Sequence, residues 1–184
     1  SYEKEGAIWL KLSELGQSIW LDNITRGLLA SGTLSEYIRD FSVTGLTSNP
    51  SIFDHAIRNS HDYDDDIRQK LKEGKSGEEL LFEIELEDLR EAADLFRPVH
   101  DETSGVDGWA SLEVSPMLAD DAAGTIAAAT ALFESADRPN VIIKIPGTKA
   151  GVTAIEESIF AGVPINVTLL FSKEQYLASA EAYL

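Results

Sequence analysis

Five short runs of β-branched and apolar residues alternate with stretches of helical spacing, and each run brings a polar side chain to its C-terminal end. The runs are SIWLD (18–22), SVTGLTSNPSIF (42–53), GWASLEVSP (108–116), VIIKIPGT (141–148) and VPINVTLLF (163–171). The second ends in Ser-Asn-Pro and restarts as a helix. Asp22 closes the first run, Asn49 follows the second, Glu113 comes late in the third, Lys144 late in the fourth, and Asn166 and Thr168 late in the fifth. Strands interleaved with helices predict an α/β fold with a parallel sheet and right-handed crossovers. An open sheet binds its ligand at one crevice, whereas a barrel builds its site from the C-terminal ends of many strands. Polar groups on five strand ends therefore favour a (β/α)8 barrel of the TIM type. No GxGxxG fingerprint supports a nucleotide-binding open sheet.

The helices are read from spacing and caps. In GAIWLKLSELG, Ile8, Leu12 and Leu15 share one face before Gly16. TLSEYIRDF (33–41) predicts a helix with Thr33 as its cap and Glu36 three residues later. The acidic stretch 60–96 predicts two helices broken at 74–77, followed by a loop, RPVHDETSGVDG, over 97–108. Further helices are expected over 120–136 and 150–161, and from Ser172 onward. Trp9, Trp20, Trp109, Phe133 and Phe171 are expected in the core.

Lys144 is the sharpest chemical signal. It sits among Ile142, Ile143 and Ile145, and Pro146-Gly147 ends the run. A lysine at a strand end can snorkel its head into water. Apolar surroundings also disfavour an ammonium, and a neutral lysine is a nucleophile for carbonyls, forming a Schiff base. Such chemistry needs proton transfers, one to expel water from the carbinolamine and one to accept a hydroxyl proton during C–C cleavage. Two carboxylates in different settings, here Glu113 and Asp22, can divide those tasks. Each also has a plain reading as a cap or salt-bridge partner. Asn49, Asn166 and Thr168 suit substrate hydroxyls, and Asn49 before Pro50 also suits a turn.

Other classes are disfavoured. The net charge of −17 repels nucleic acid. There is no cysteine for a disulfide, thiolate or metal, and no apolar run long enough to cross a membrane. Cytoplasmic location is the expectation. His55, His61 and His100 lack zinc-site spacing, and Asp62 with Asp64–Asp66 lacks the glycine and spacing of a calcium loop. Those acids read as a solvated helix start, so no metal is expected.

The motifs VTGLTSNPSIF and NVIIKIPGTKAG resemble the two signatures of the transaldolase family, the second surrounding its Schiff-base lysine. SIWLDNITRGLL, SLEVSPMLADD and PINVTLLFS are similar to its other strand ends, and the wording is closest to the longer branch, which includes fusions to phosphoglucose isomerase. The similarity runs from about Leu10 to the last residue. The resemblance implies a dihydroxyacetone transfer of the pentose phosphate pathway, from fructose 6-phosphate or sedoheptulose 7-phosphate to an aldose phosphate. It implies no cofactor. By position, Lys144 matches the Schiff-base lysine, Asp22 the acid/base aspartate, and Glu113 the glutamate working through a water. Asn49, Asn166 and Thr168 match the residues that hold substrate and that water.

A full barrel needs about 250 residues, so residues 1–184 are expected to be an incomplete barrel domain of about five strands. The phosphate-holding residues then lie beyond Leu184. Five strands also leave open edges and an unfilled interior. The missing part is expected from the rest of a longer protein or from another chain. Two alternatives stand beside the transaldolase reading: a class I aldolase releasing free product, and a non-catalytic fragment.

Overall fold

A computed structural model describes residues 2–184, with side chains from Ile8 onward. The α/β class holds: among the described residues five strands alternate with helices, in the order of the first five repeats of a (β/α)8 barrel. The chain divides into two compact units, one reaching to Ala110 and one spanning Ser111–Leu184.

The first unit contains α1 (Tyr2–Glu14), β1 (Ile19–Asp22), α2 (Arg26–Ala30), α3 (Thr33–Phe41), β2 (Val43–Thr47), α4 (Pro50–Asn59), α5 (Asp64–Lys72) and α6 (Gly77–Glu102), and it ends in the start of β3 (Trp109–Glu113). Strands β1 and β2 are parallel, with Trp20 opposite Gly45 and Asp22 opposite Thr47. The glycine is required there, because a Cβ on Gly45 would lie 2.5 Å from the Trp20 indole. Trp20 Nε1 donates to Asp107 Oδ1 at 3.0 Å, so the ring is held over that glycine. Gly108 continues the pairing by donating to the Thr44 carbonyl at 2.8 Å. Leu34, Leu46, Phe53, Tyr63, Ile84, Leu89 and Phe96 are fully buried in this unit.

Three expectations are corrected here. Helix α6 does not stop at Phe96 but runs through Pro98 to Glu102. Proline removes one backbone donor, yet later bonds such as Thr103 N–H to the Val99 carbonyl carry the helix on, and His100 packs edge-on against Trp109 at 4.9 Å. Thr33 is not a cap; Gly32, in the left-handed conformation, precedes α3, and the Thr33 hydroxyl bonds Ser31 Oγ at 2.8 Å. Trp9 and Phe171 are exposed rather than core, and Trp20, Trp109 and Phe133 are only half-buried. Helical and strand spacing orders residues on a face but does not say which face another element covers.

The second unit holds the end of β3, a single 3-10 turn at Pro116–Leu118, α7 (Ala122–Ala136), β4 (Val141–Pro146), α8 (Lys149–Phe160), β5 (Ile165–Thr168) and α9 (Lys173–Tyr183). Strands β4 and β5 are parallel, with Lys144 opposite Asn166 and Pro146 opposite Thr168. Val114 N–H donates to the Lys144 carbonyl at 3.1 Å, which ties the end of β3 to β4. Each helix after a strand starts on a side-chain cap: Asp121 for α7, Thr148 for α8, and Ser172 with Gln175 in a capping box for α9. Ile143 and Ile145 are fully buried on one face of β4, against helices α7 and α8.

Helix α8 comes so close to the end of β4 that a Cβ on Gly151 would lie 1.9 Å from the Pro146 carbonyl oxygen. That oxygen is backbone and cannot swing away. Gly151→Ala is therefore expected to destabilise the protein by about 1–3 kcal/mol. Urea unfolding reads the change, and an unmoved midpoint would mean that this contact does not constrain the turn after Lys144. No helix among the described residues is long and apolar enough to cross a membrane.

Candidate active site

Alternation along a strand decides which side chains meet. On β4, Ile143 and Ile145 point into the core, so Lys144 projects from the other face with Ile142. On β3, Ser111 and Glu113 share a face by the same rule, and on β5 so do Asn166 and Thr168. Lys144 Nζ lies 3.1 Å from Glu113 Oε2, and the two side chains are only 12% and 15% exposed. This is within proton-transfer reach.

Asn166 Nδ2 donates to Ser111 Oγ at 3.1 Å. These residues stand on the strands flanking β4, which parallel pairing would separate by about 10 Å in a flat sheet. A direct bond therefore requires these three strands to curl so that this face is concave. Lys144, Glu113, Ser111 and Asn166 converge in that hollow. Ser111 was not singled out from the sequence, although its position two residues before Glu113 placed it on the same face. It is fully buried.

The loops beyond these strand ends are tied together. Gly147 N–H donates to the Thr168 carbonyl at 2.8 Å. Thr148 Oγ1 donates to the Ala119 carbonyl at 2.6 Å and accepts from Gly151 N–H at 2.9 Å. The IPGT segment thus has structural work: proline and glycine end the strand, and the threonine starts the next helix while anchoring the loop after β3. Thr168 itself stands two residues beyond Asn166, opposite Pro146.

Asp22 and Asn49 belong to the first unit. Asp22 is the exposed last residue of β1, opposite Thr47. The Thr47 hydroxyl is buried and has no hydrogen-bond partner among the described residues. It lies inside the VTGLTSNPSIF motif but was not assigned a role from the sequence; its place beside an acidic strand end is the signal that was available. Asn49 Oδ1 accepts from Ile52 N–H at 3.1 Å, and Pro50 occupies the first helical position, so Asn49 is the cap of α4. Of the acids at the start of α5, Asp64 and Asp65 pair with Arg68 on the surface, whereas Asp66 turns to Arg26 at 2.7 Å. The expected solvated helix start thus holds for exposed Asp62 and for Asp64 and Asp65, and fails for Asp66.

Residues 19–183 match the model of the transaldolase/fructose-6-phosphate aldolase family. The chain is 47% identical over 173 residues to a transaldolase of Arthrobacter sp. (strain FB24), covering 94% of this chain and 47% of that protein. It is 46% identical to a transaldolase of Saccharopolyspora erythraea, covering 94% of this chain and 47% of that one. It is 43% identical to a transaldolase of Trichodesmium erythraeum, covering 95% and 46%. The chain spans about half the length of these curated relatives. With the matched region taking in all five strand ends, this chain belongs to the transaldolase/fructose-6-phosphate aldolase family.

Proposed function

We propose that this chain supplies the Schiff-base half of a transaldolase, which moves a dihydroxyacetone unit from a ketose phosphate to an aldose phosphate in the pentose phosphate pathway of the cytoplasm. The observation that carries the reading is the half-buried pair of Lys144 and Glu113, 3.1 Å apart on one strand face. The Lys144 amine adds to the ketose carbonyl, and the carbinolamine loses water to give the imine. Glu113 stands where it can hand over and recover the protons of that step, directly or through a water held with Thr168. Asp22 accepts the proton of the hydroxyl next to the bond that breaks. The aldehyde leaves, and the electron pair stays on the three-carbon unit as an enamine conjugated with the lysine nitrogen. The acceptor aldehyde is attacked by that carbon, its oxygen takes a proton back from Asp22, and hydrolysis of the new imine frees Lys144. Asn166 and Asn49 orient the substrate hydroxyls. No metal or organic cofactor takes part.

The domain of residues 1–184 is incomplete on this reading, and the rest of the barrel, with the phosphate site, comes from the other half of the relatives' length or from another chain. Supporting this is an apolar groove of about 440 Å³ on the second unit, lined by Ile155, Ile159, Ile165, Val167, Tyr176 and Tyr183. It suits further strands and helices of the same barrel.

Incubation with fructose 6-phosphate followed by borohydride is expected to leave a reduced three-carbon adduct on Lys144, seen by intact mass and peptide mapping. No adduct, while a full-length relative traps normally, would mean that this chain holds the residues without the working site. The family's name also covers an aldolase. Omitting the acceptor aldehyde separates the two, since an aldolase releases free dihydroxyacetone and a transferase retains it.

A further inference from the structure

Asp22 sits on a strand end that is followed by a turn of only three residues before α2 begins at Arg26. At its first end the turn is held by the β1–β2 ladder, with Asp22 opposite Thr47. Its second end is held far more heavily than a surface turn needs. Ile24 is fully buried, and the Thr25 side chain accepts from Leu28 N–H at 3.1 Å. The Arg26 backbone N–H donates to the Tyr63 hydroxyl at 2.9 Å, and that hydroxyl donates to Asp88 Oδ2 at 2.9 Å. The other oxygen, Asp88 Oδ1, accepts from Arg26 Nε at 2.9 Å. One carboxylate therefore holds both the main chain and the side chain of Arg26 in a closed ring of hydrogen bonds. Asp66 at 2.7 Å and Glu87 at 3.4 Å complete the ion pairs of the guanidinium, which lies 4.9 Å from the centre of the Tyr63 ring.

Tyr63 and Asp88 are 0% and 1% exposed, and they come from elements remote in sequence. Burial pushes the Asp88 carboxyl above its ordinary value, against the pull of Arg26. Anchoring α6 alone would need no polar group of this kind, because an apolar contact of the same volume does so without desolvating a charge. What the ring adds is direction: it fixes the backbone at the one residue that closes the Asp22 turn.

We propose that Tyr63 and Asp88 are positioning residues which, through Arg26, hold the β1–α2 turn and thereby keep the Asp22 carboxylate aligned for proton transfer. The proposal rests on the acid/base role given to Asp22 above. A misplacement of about 1 Å in a reacting group can cost about 100-fold in rate, so a clamp away from the chemistry can have a large effect without touching substrate.

The test compares Tyr63→Phe, Asp22→Asn and the double variant with the unaltered chain. In Tyr63→Phe the amides of residues 22–26 are expected to exchange with deuterium at least about 10-fold faster, while those of 141–146 stay protected. Unchanged exchange in the turn would overturn the proposal. In turnover, Tyr63→Phe is expected to lower kcat by about 10- to 100-fold with little change in KM, and to leave trapping on Lys144 intact. It should cause no further loss once Asp22 is Asn. An equal loss in both backgrounds would show a merely structural role and would equally overturn it. Asp88→Asn, which keeps the shape of the side chain, should reproduce the exchange pattern. If the unaltered chain forms no adduct while a full-length relative does, this chain by itself lacks the working site, and the exchange of the turn still decides whether the clamp exists.

Discussion

Lys144→Met is expected to abolish the borohydride-trapped adduct and to lower turnover by about 10⁴-fold or more, the scale seen when a covalent nucleophile is removed. Methionine keeps the length and apolar stem of lysine, so packing beside Ile142 is retained. Stability should fall too, for a separate reason. Glu113 is only 15% exposed and faces Lys144 at 3.1 Å, so the variant strands a half-buried carboxylate. Loss of one partner of a buried pair costs about 3–5 kcal/mol; this pair keeps some solvent contact, so the loss should be smaller. Adding Glu113→Gln to Lys144→Met removes the stranded charge. The double variant should therefore regain stability in urea but not activity. If the single variant still traps substrate on another lysine, such as Lys149, the assignment of the nucleophile is wrong.

The second large effect is on stability and has no link to turnover. Glu85 lies on α6, is 2% exposed, and its Oε1 has no hydrogen-bond partner among the described residues. Burial, helped by the negative charge of Asp88, pushes its carboxyl from 4.5 up to about 7. The folded state thus keeps a proton that the unfolded chain releases. Glu85 favours folding fully below pH 4.5, and that advantage is lost as pH rises through about 7. Above that pH the folded protein must hold a buried carboxylate, at a cost of about 3 kcal/mol from the size of the shift. Glu85→Gln is accordingly expected to stabilise the protein by about 3 kcal/mol at pH 8 and to change it little near pH 5. Urea midpoints at the two pH values check this. Equal effects at both would mean that Glu85 does not titrate on unfolding.

Much of the fold was legible because it is encoded locally. The apolar run VIIKIP, the helix start near Ser172, and the Ser-Asn-Pro break after which a helix restarts each depend on neighbours a few residues away. The α6 end was misread for the same reason, since Pro98 is a local stop signal overridden by the continuing backbone bonds and by packing of His100 on Trp109. Helix α2 passed unread because five residues are too few to show a period.

For the site, local spacing was enough to put Asp22, Asn49, Glu113, Lys144, Asn166 and Thr168 at or just beyond strand ends, because strand boundaries and side-chain alternation are properties of short segments. Spacing could not say what each would touch. That Lys144 faces Glu113, that Asn166 reaches Ser111 across β4, and that Asp88 holds Arg26 and Tyr63 depend on strand register, sheet curl and helix packing. Those are set by residues tens of positions apart. Burial is likewise a tertiary outcome: Phe171, expected in the core, is exposed, while the acid Glu85 is buried, because it is the packed neighbour, not the residue type, that removes water.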